Sequence, residues 1–339
     1  MFSRDSFVRR LLPSIIGAAA CVGFARSGFL APFFLVPLAL TYFRFGVRNA
    51  WFLAFMATIA NIVIAAISAL STKEGYAYMA DALYFAIATL SFAWALLQME
   101  GLLSWPTKRI AYRLSIAAII TSLALLPVIY LASQDAGLIA SVRKQAEAFA
   151  QMYADAAGAD VVQRSLVETT LTADTILATV RSTFARGAAV ASHLVFFFMS
   201  WRVAQVFASF SNRALRGKAA FTSFKLDFFL IWVLMGAALS VLAGSLLKLS
   251  IIEIVAWNIL VLSLLLYASQ GYGIVLFNIT RPGVPRLIVP LVTISLALLI
   301  VRPGINAFVV GGFAALGIAE NWLPLRAPKR TDPPSTPEA

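Results

Sequence analysis

Long apolar blocks separated by short polar links follow one another along the whole chain. A hydrocarbon core of ~30 Å needs ~20 helical residues. Ten blocks approach that length: 11–25, 29–44, 50–70, 81–99, 114–133, 187–208, 227–247, 251–278, 285–301 and 304–323. The pattern predicts an all-α fold, a polytopic transmembrane helix bundle of about ten spans. The second block carries Pro32 and Pro37. Inside a helix they would break the backbone ladder, so a tight pair or partly re-entrant hairpin is expected for the first two blocks.

One stretch departs from the pattern. Residues 134–186 are polar and long, with Ile139, Val142, Ala146, Phe149 and Tyr153 recurring at helical spacing. Ala157–Gly158–Ala159 breaks the periodicity, and Asp160 can cap a second helix. A second stripe runs through Ala173, Leu177, Val180 and Phe184. This predicts an extracytoplasmic helical hairpin, packed on itself or against the membrane face. The chain then divides into 1–133, an N-terminal membrane part; 134–186, the insertion; 187–325, a C-terminal membrane part; and 326–339, a disordered cytoplasmic tail.

Charge orients the spans. One set of links collects Arg44, Arg48, Lys108, Arg109, Arg113, Arg213, Arg216, Lys218 and Lys225, while the short links on the other side hold only Arg26, Lys73, Lys248 and Arg302. By the positive-inside rule the first set is cytoplasmic, as are both termini if the span count is even. A multi-pass protein of the bacterial inner membrane is expected. The chain of 339 residues is 61% hydrophobic and 12% charged, with net charge +12. A soluble domain of this size carries about twice that charged fraction. The basic residues flank apolar spans, so lipid headgroups rather than nucleic acid are their expected partners.

Chemistry is sparse. The single cysteine, Cys21, excludes an internal disulfide and any cysteine-cluster metal site. Ala18–Ala19–Ala20–Cys21 resembles a lipoprotein signal, but a first membrane helix with small-residue faces is the expected reading. Gly17 and Cys21, or Ala19 and Gly23, would let another helix dock closely. His193, the one histidine, predicts an interhelical hydrogen bond. Glu253 is expected to pair with nearby Lys248. No nucleophile–base pair or metal-ligand cluster is legible, so neither enzymatic activity nor a cofactor is expected.

Neutral polar residues inside spans are the candidate site. Ser263, Tyr267 and Gln270 share one helix face, while Asn258 projects elsewhere. Asn61 and Gln98 are further candidates. Such a lining suits a small polar solute, and equally a bundle held by interhelical hydrogen bonds. The segment 209–226 interleaves Phe210, Phe221 and Phe224 with Arg213, Arg216, Lys218 and Lys225, the composition of an interfacial helix.

Three stretches together resemble the YybS-like family of bacterial membrane proteins. They are Pro37–Leu38–Ala39 followed by Arg44–Phe45–Gly46–Val47–Arg48; Asn258–Ile259–Leu260 with Tyr267 and Gln270–Gly271; and Gly317 with Glu320–Asn321–Trp322–Leu323–Pro324–Leu325–Arg326. Pro324 stands where the family tends to have an acidic residue, which weakens a charged role for the last motif. The N-terminal part of that family is similar to the substrate-binding subunits of energy-coupling-factor transporters. The resemblance implies a solute-binding membrane subunit with a pocket opening away from the cytoplasm, docked on a coupling partner. The alternative is a non-transport scaffold for envelope assembly or signalling, acting through 134–186 and the basic loops.

Overall fold

A computed structural model describes residues 4–71, 75–97, 107–132, 136–156, 170–211, 221–281, 283–285, 287–301 and 305–326. The regular structure among them is helical: α1 (Arg4–Arg26), α2 (Val36–Phe45), α3 (Val47–Ser71), α4 (Gly75–Leu97), α5 (Thr107–Ala132), α6 (Ala136–Ala156), α7 (Ala173–Thr183), α8 (Ala189–Ser211), α9 (Phe229–Leu246), α10 (Ser250–Ile279), α11 (Ile288–Val301) and α12 (Ile305–Ala319). Six helical stretches are long and apolar enough to cross a membrane: Val47–Ser71, Ala77–Leu97, Ile110–Tyr130, Ala173–Ser211, Phe229–Leu246 and Ser250–Ile279. Leu12–Arg26, Ala31–Phe45 and Ile305–Ala319 are apolar but shorter. Among the described residues the apolar blocks are largely helical, and six helical stretches meet the length a bilayer demands.

The prolines of the second block do not break a helix, as the sequence had implied. A 3-10 turn at Ala31–Phe33 precedes α2, with Pro32 in the first turn of one and Pro37 in the first turn of the other. There a proline removes only an N–H that has no helical acceptor. Gly46, at φ 84, ends α2 and turns the chain into α3.

The chain divides into two compact units. The first comprises Met1–Trp105, Arg109–Lys218 and Ala238–Leu262; the second comprises Pro106–Lys108, Ala219–Ala237 and Ser263–Ala339. In the first unit α3 packs most extensively on α4, and α2 lies against α3 and α8. Helix directions follow from paired contacts. The Ser14 hydroxyl donates to the Asn49 carbonyl and Arg26 to the Asn61 side chain, both 35 residues apart. A constant offset means that α1 and α3 run parallel, with α2 returning between them. Tyr84 meets His193 and Phe92 meets Phe197, so α4 and α8 also share a direction.

Helices α6 and α7 pack on each other, joined by an Arg143–Asp174 ion pair of 3.3 Å. The contact uses small residues, since Ala146 and Ala154 are buried while Ile139, Val142, Phe149, Met152 and Tyr153 are exposed. Between α7 and α8 the helix kinks at Gly187, whose φ of 119 is open to glycine and strained for other residues. That kink falls where periodicity places the end of the insertion. The expected break at 157–159 and cap at Asp160 lie outside the described residues, as do Lys73, Gln98, Arg213, Arg216, Lys218, Arg302 and 327–339.

Candidate functional site

The polar face of α10 is buried, and its Gln270 side chain is fully hydrogen-bonded. In the second unit Ser263, Tyr267 and Gln270 are all buried. Gln270 Oε1 accepts the Leu226 N–H at 2.8 Å. Its Nε2 donates to the Gly317 carbonyl at 3.0 Å and to Glu320 Oε2 at 2.9 Å. Arg326 closes the ring. Its Nε lies 2.9 Å from Glu320 Oε1, an ion pair without hydrogen-bond alignment. Nη1 donates to the Thr222 carbonyl at 2.9 Å and Nη2 to the Gln270 carbonyl at 3.1 Å. Burial works against the charge on Arg326 and Glu320 opposes that effect, so the guanidinium keeps its proton.

Glycine makes this network reachable. A Cβ on Gly271 would sit 1.9 Å from the Phe313 carbonyl oxygen, and one on Gly317 would sit 2.0 Å from the Tyr267 carbonyl oxygen. The backbones of α10 and α12 therefore touch at a crossing only glycine permits. The Tyr267 hydroxyl lies beside Asn321 without hydrogen-bond geometry. Arg326, expected in a disordered tail, is instead fixed by a carboxylate from its own motif, so the proline at 324 does not remove the motif's charge pairing.

Asn258 serves a different joint, in the first unit. Its Nδ2 donates to the Ala185 carbonyl at 2.6 Å and to Ile254 one turn back at 2.8 Å. On neighbouring positions of α10, Glu253 pairs with Arg186 at 3.0 Å, and Gly187 fits against Val261 and Trp257. The expected partner of Glu253 was Lys248. That residue instead adopts φ 56 and closes α9, with the Leu249 N–H reaching the Gly244 carbonyl at 2.8 Å. His193 behaves as the sequence suggests, its Nδ1 lying 2.9 Å from the Ser122 hydroxyl.

The small-residue face of α1 splits in two. Gly17 meets Leu53 and Thr41, and Cys21 is wholly buried, so these two pack inside the fold rather than forming an external docking surface. Ala19 and Gly23 remain exposed.

Asn61 occupies the most unusual place. It is 1% exposed, and its Oδ1 accepts both Nε and Nη2 of Arg26, at 3.2 and 3.0 Å. Its Nδ2 has no hydrogen-bond partner. One turn earlier on the same face, the buried Thr58 hydroxyl is also unpartnered, as is Thr89 on α4. Because α1 and α3 run in register, α1 ends about 15 Å short of the α3 terminus at Ser71. A ~30 Å hydrocarbon layer centred on the ~37 Å of α3 would put the Arg26 backbone roughly 11 Å inside its edge. The sequence pattern places Arg26 in a surface link, because the short turn after it hides how deep α1 stops. Yet Arg26 is exposed in the fold. A charge at that depth is costly unless water or a counter-charge reaches it.

The second unit also holds an open cleft of about 360 Å³, lined by Thr222, Ser223, Lys225, Glu320, Pro324 and Arg326. Among the described residues no group of three His, Cys, Asp or Glu side chains is placed to hold a metal. Six membrane-length apolar helices make this an integral membrane protein of the all-helical class. No family model, curated protein or solved structure matches the chain.

Proposed function

We propose that the protein is a transport-type, solute-binding membrane subunit with a site opening on the side opposite the termini. The reading keeps about ten spans, the six long helices being joined by α1, α2, α11 and α12 as shorter ones. It places 134–186 outside and both termini in the cytoplasm of a bacterial cell. The parallel sense of α4 and α8 fits this arrangement, since α5 then makes the only crossing between them. The similarity to YybS-like proteins and to energy-coupling-factor substrate-binding subunits belongs to the same proposal.

The observation that carries it is Arg26. The guanidinium is exposed well before the end of the membrane-length helix α3, and Asn61 orients it through two hydrogen bonds to one oxygen. A guanidinium held this way offers a fork to a carboxylate or phosphate group on a small polar solute. The buried Asn61 Nδ2 has no hydrogen-bond partner, so the Asn61 amide is free to turn when a solute binds Arg26. Of the candidate polar residues, Asn61 is the one this reading places at the solute site, because Gln270 and Asn258 are spent on helix contacts.

Thermal stabilisation of the purified protein by a panel of vitamins, precursors and small carboxylates tests this. A stabilising compound whose effect disappears in Arg26→Ala supports the reading. Absence of stabilisation across the panel, with no coupling protein co-purifying, contradicts it. A scaffold role is the second reading, favoured by the exposed apolar residues of α6. In that case deleting 136–183 abolishes partner crosslinking and leaves solute binding intact.

A further inference from the structure

The cleft of the second unit sits among groups of two kinds. Its lining carries Lys225, Arg326 and Glu320, a net charge of +1. Arg326 and Glu320 neutralise each other at 2.9 Å with side chains 13% and 4% exposed. Lys225 is exposed and pairs with no carboxylate among the described residues. Asp227, two residues on, is exposed beside the start of α9 and does not line the cleft.

Beside this charged cleft the surface is apolar and aromatic. Phe228 and Trp322 meet edge to face with ring centroids 6.3 Å apart, yet remain 50% and 63% exposed. Phe229, at 72%, and Leu323, at 54%, extend the same character. Phe228 immediately precedes α9 and Trp322 comes just after α12. Aromatic side chains at the ends of membrane helices mark the boundary between headgroups and hydrocarbon. With the bilayer boundary at these rings, the cleft would open at headgroup level, its lining residues Lys225, Glu320 and Pro324 being neighbours of Phe228 and Trp322 in sequence. Its volume is that of a small-ligand site.

We infer that the cleft holds the phosphate of an anionic phospholipid. Lys225 supplies the counter-charge and the Thr222 and Ser223 segment forms the polar wall. The acyl chains lie along Phe228, Phe229 and Trp322. The Gln270–Glu320–Arg326 ring gives this site a rigid floor, since Arg326 ties the Thr222 carbonyl to Glu320 and to the Gln270 backbone. A soluble phosphate ester would use the same cation but would gain nothing from the aromatic surface. The lipid assignment is independent of the solute site at Arg26.

The test uses the full chain in vesicles. Trp322→Phe identifies the part of the tryptophan emission that comes from Trp322. That component is quenched by phosphatidylglycerol with brominated acyl chains at a lower mole fraction than by brominated phosphatidylcholine. Lys225→Gln raises the phosphatidylglycerol requirement about fivefold, the effect of one basic residue at an anionic surface. Lys144→Gln, an exposed basic position on α6, leaves it unchanged, as does millimolar glycerol phosphate. Equal quenching by the two lipids, or no effect of Lys225→Gln, overturns the proposal. Displacement by glycerol phosphate also overturns it, by making the ligand a soluble phosphate.

Discussion

Adding one methyl group at Gly317 should cost about as much as a large-to-small deletion in the core. The Cβ of Gly317→Ala would lie 2.0 Å from the Tyr267 carbonyl oxygen, 2.9 Å from its carbon and 3.1 Å from the Gly271 nitrogen. All three atoms are backbone, so no side-chain rotation relieves the clash. Ordinary contact requires α10 and α12 to part by roughly 1–1.5 Å. The Gln270 Nε2 to Gly317 carbonyl bond, now 3.0 Å, would then exceed hydrogen-bonding range. Overpacking of this kind costs about 1–3 kcal/mol, and a lost interhelical hydrogen bond in a membrane protein adds about 0.6–1.7. The expected destabilisation is about 2–4 kcal/mol, read by chemical unfolding in mixed micelles. Gly236→Ala is the control, because a Cβ there meets nothing within 4 Å. It should be neutral or stabilising by up to about 1 kcal/mol, as glycine is a poor helix former. If Gly317→Ala and Gly236→Ala unfold alike, the close crossing is not a feature of the folded protein.

Three more outcomes rest on named contacts. Lys248 holds φ 56 at the end of α9, so Lys248→Gly should stabilise by about 1 kcal/mol in the same unfolding assay. Gln270→Leu leaves the Leu226 N–H and one Glu320 oxygen without their amide partner. It should destabilise by about 2–3 kcal/mol despite adding apolar surface, and an unchanged midpoint would show that the ring contributes nothing. Arg186 and Glu253 form a partly exposed pair, with side chains 49% and 19% accessible. A double-mutant cycle with Arg186→Gln and Glu253→Gln should give a coupling of about 0.5–1 kcal/mol that falls with added salt.

What the sequence conveys and what it withholds divide along a physical line. Apolar runs of bilayer length declare themselves, because the bilayer imposes one requirement on every residue of the run. The joint at Gly187 was legible as the point where the polar insertion returns to apolar character. Partners were not legible. Glu253 lies close in sequence to Lys248, but the αL turn at Lys248 ends one helix while Arg186 arrives from a kink more than sixty residues away. Ser263, Tyr267 and Gln270 do share a face, as helical geometry requires. The occupancy of Gln270 depends on Leu226, Gly317 and Glu320, which only the tertiary fold brings in. Arg26 shows the same limit from the other side. A basic residue after an apolar block reads as an interfacial anchor, and only the register between α1 and α3 shows that it stops well short of the α3 terminus.

Water access to position 26 tests the central claim most directly. Cys21, wholly buried on α1, is first replaced by Ala so that no native thiol remains. Arg26→Cys is then exposed to a charged, membrane-impermeant thiol reagent on the side opposite the termini, with Thr179→Cys on exposed α7 as the reference. The expected result is labelling at position 26 within about tenfold of the reference rate. Labelling only from the side of the termini, or none from either side, would contradict an outward-opening site at Arg26 and Asn61.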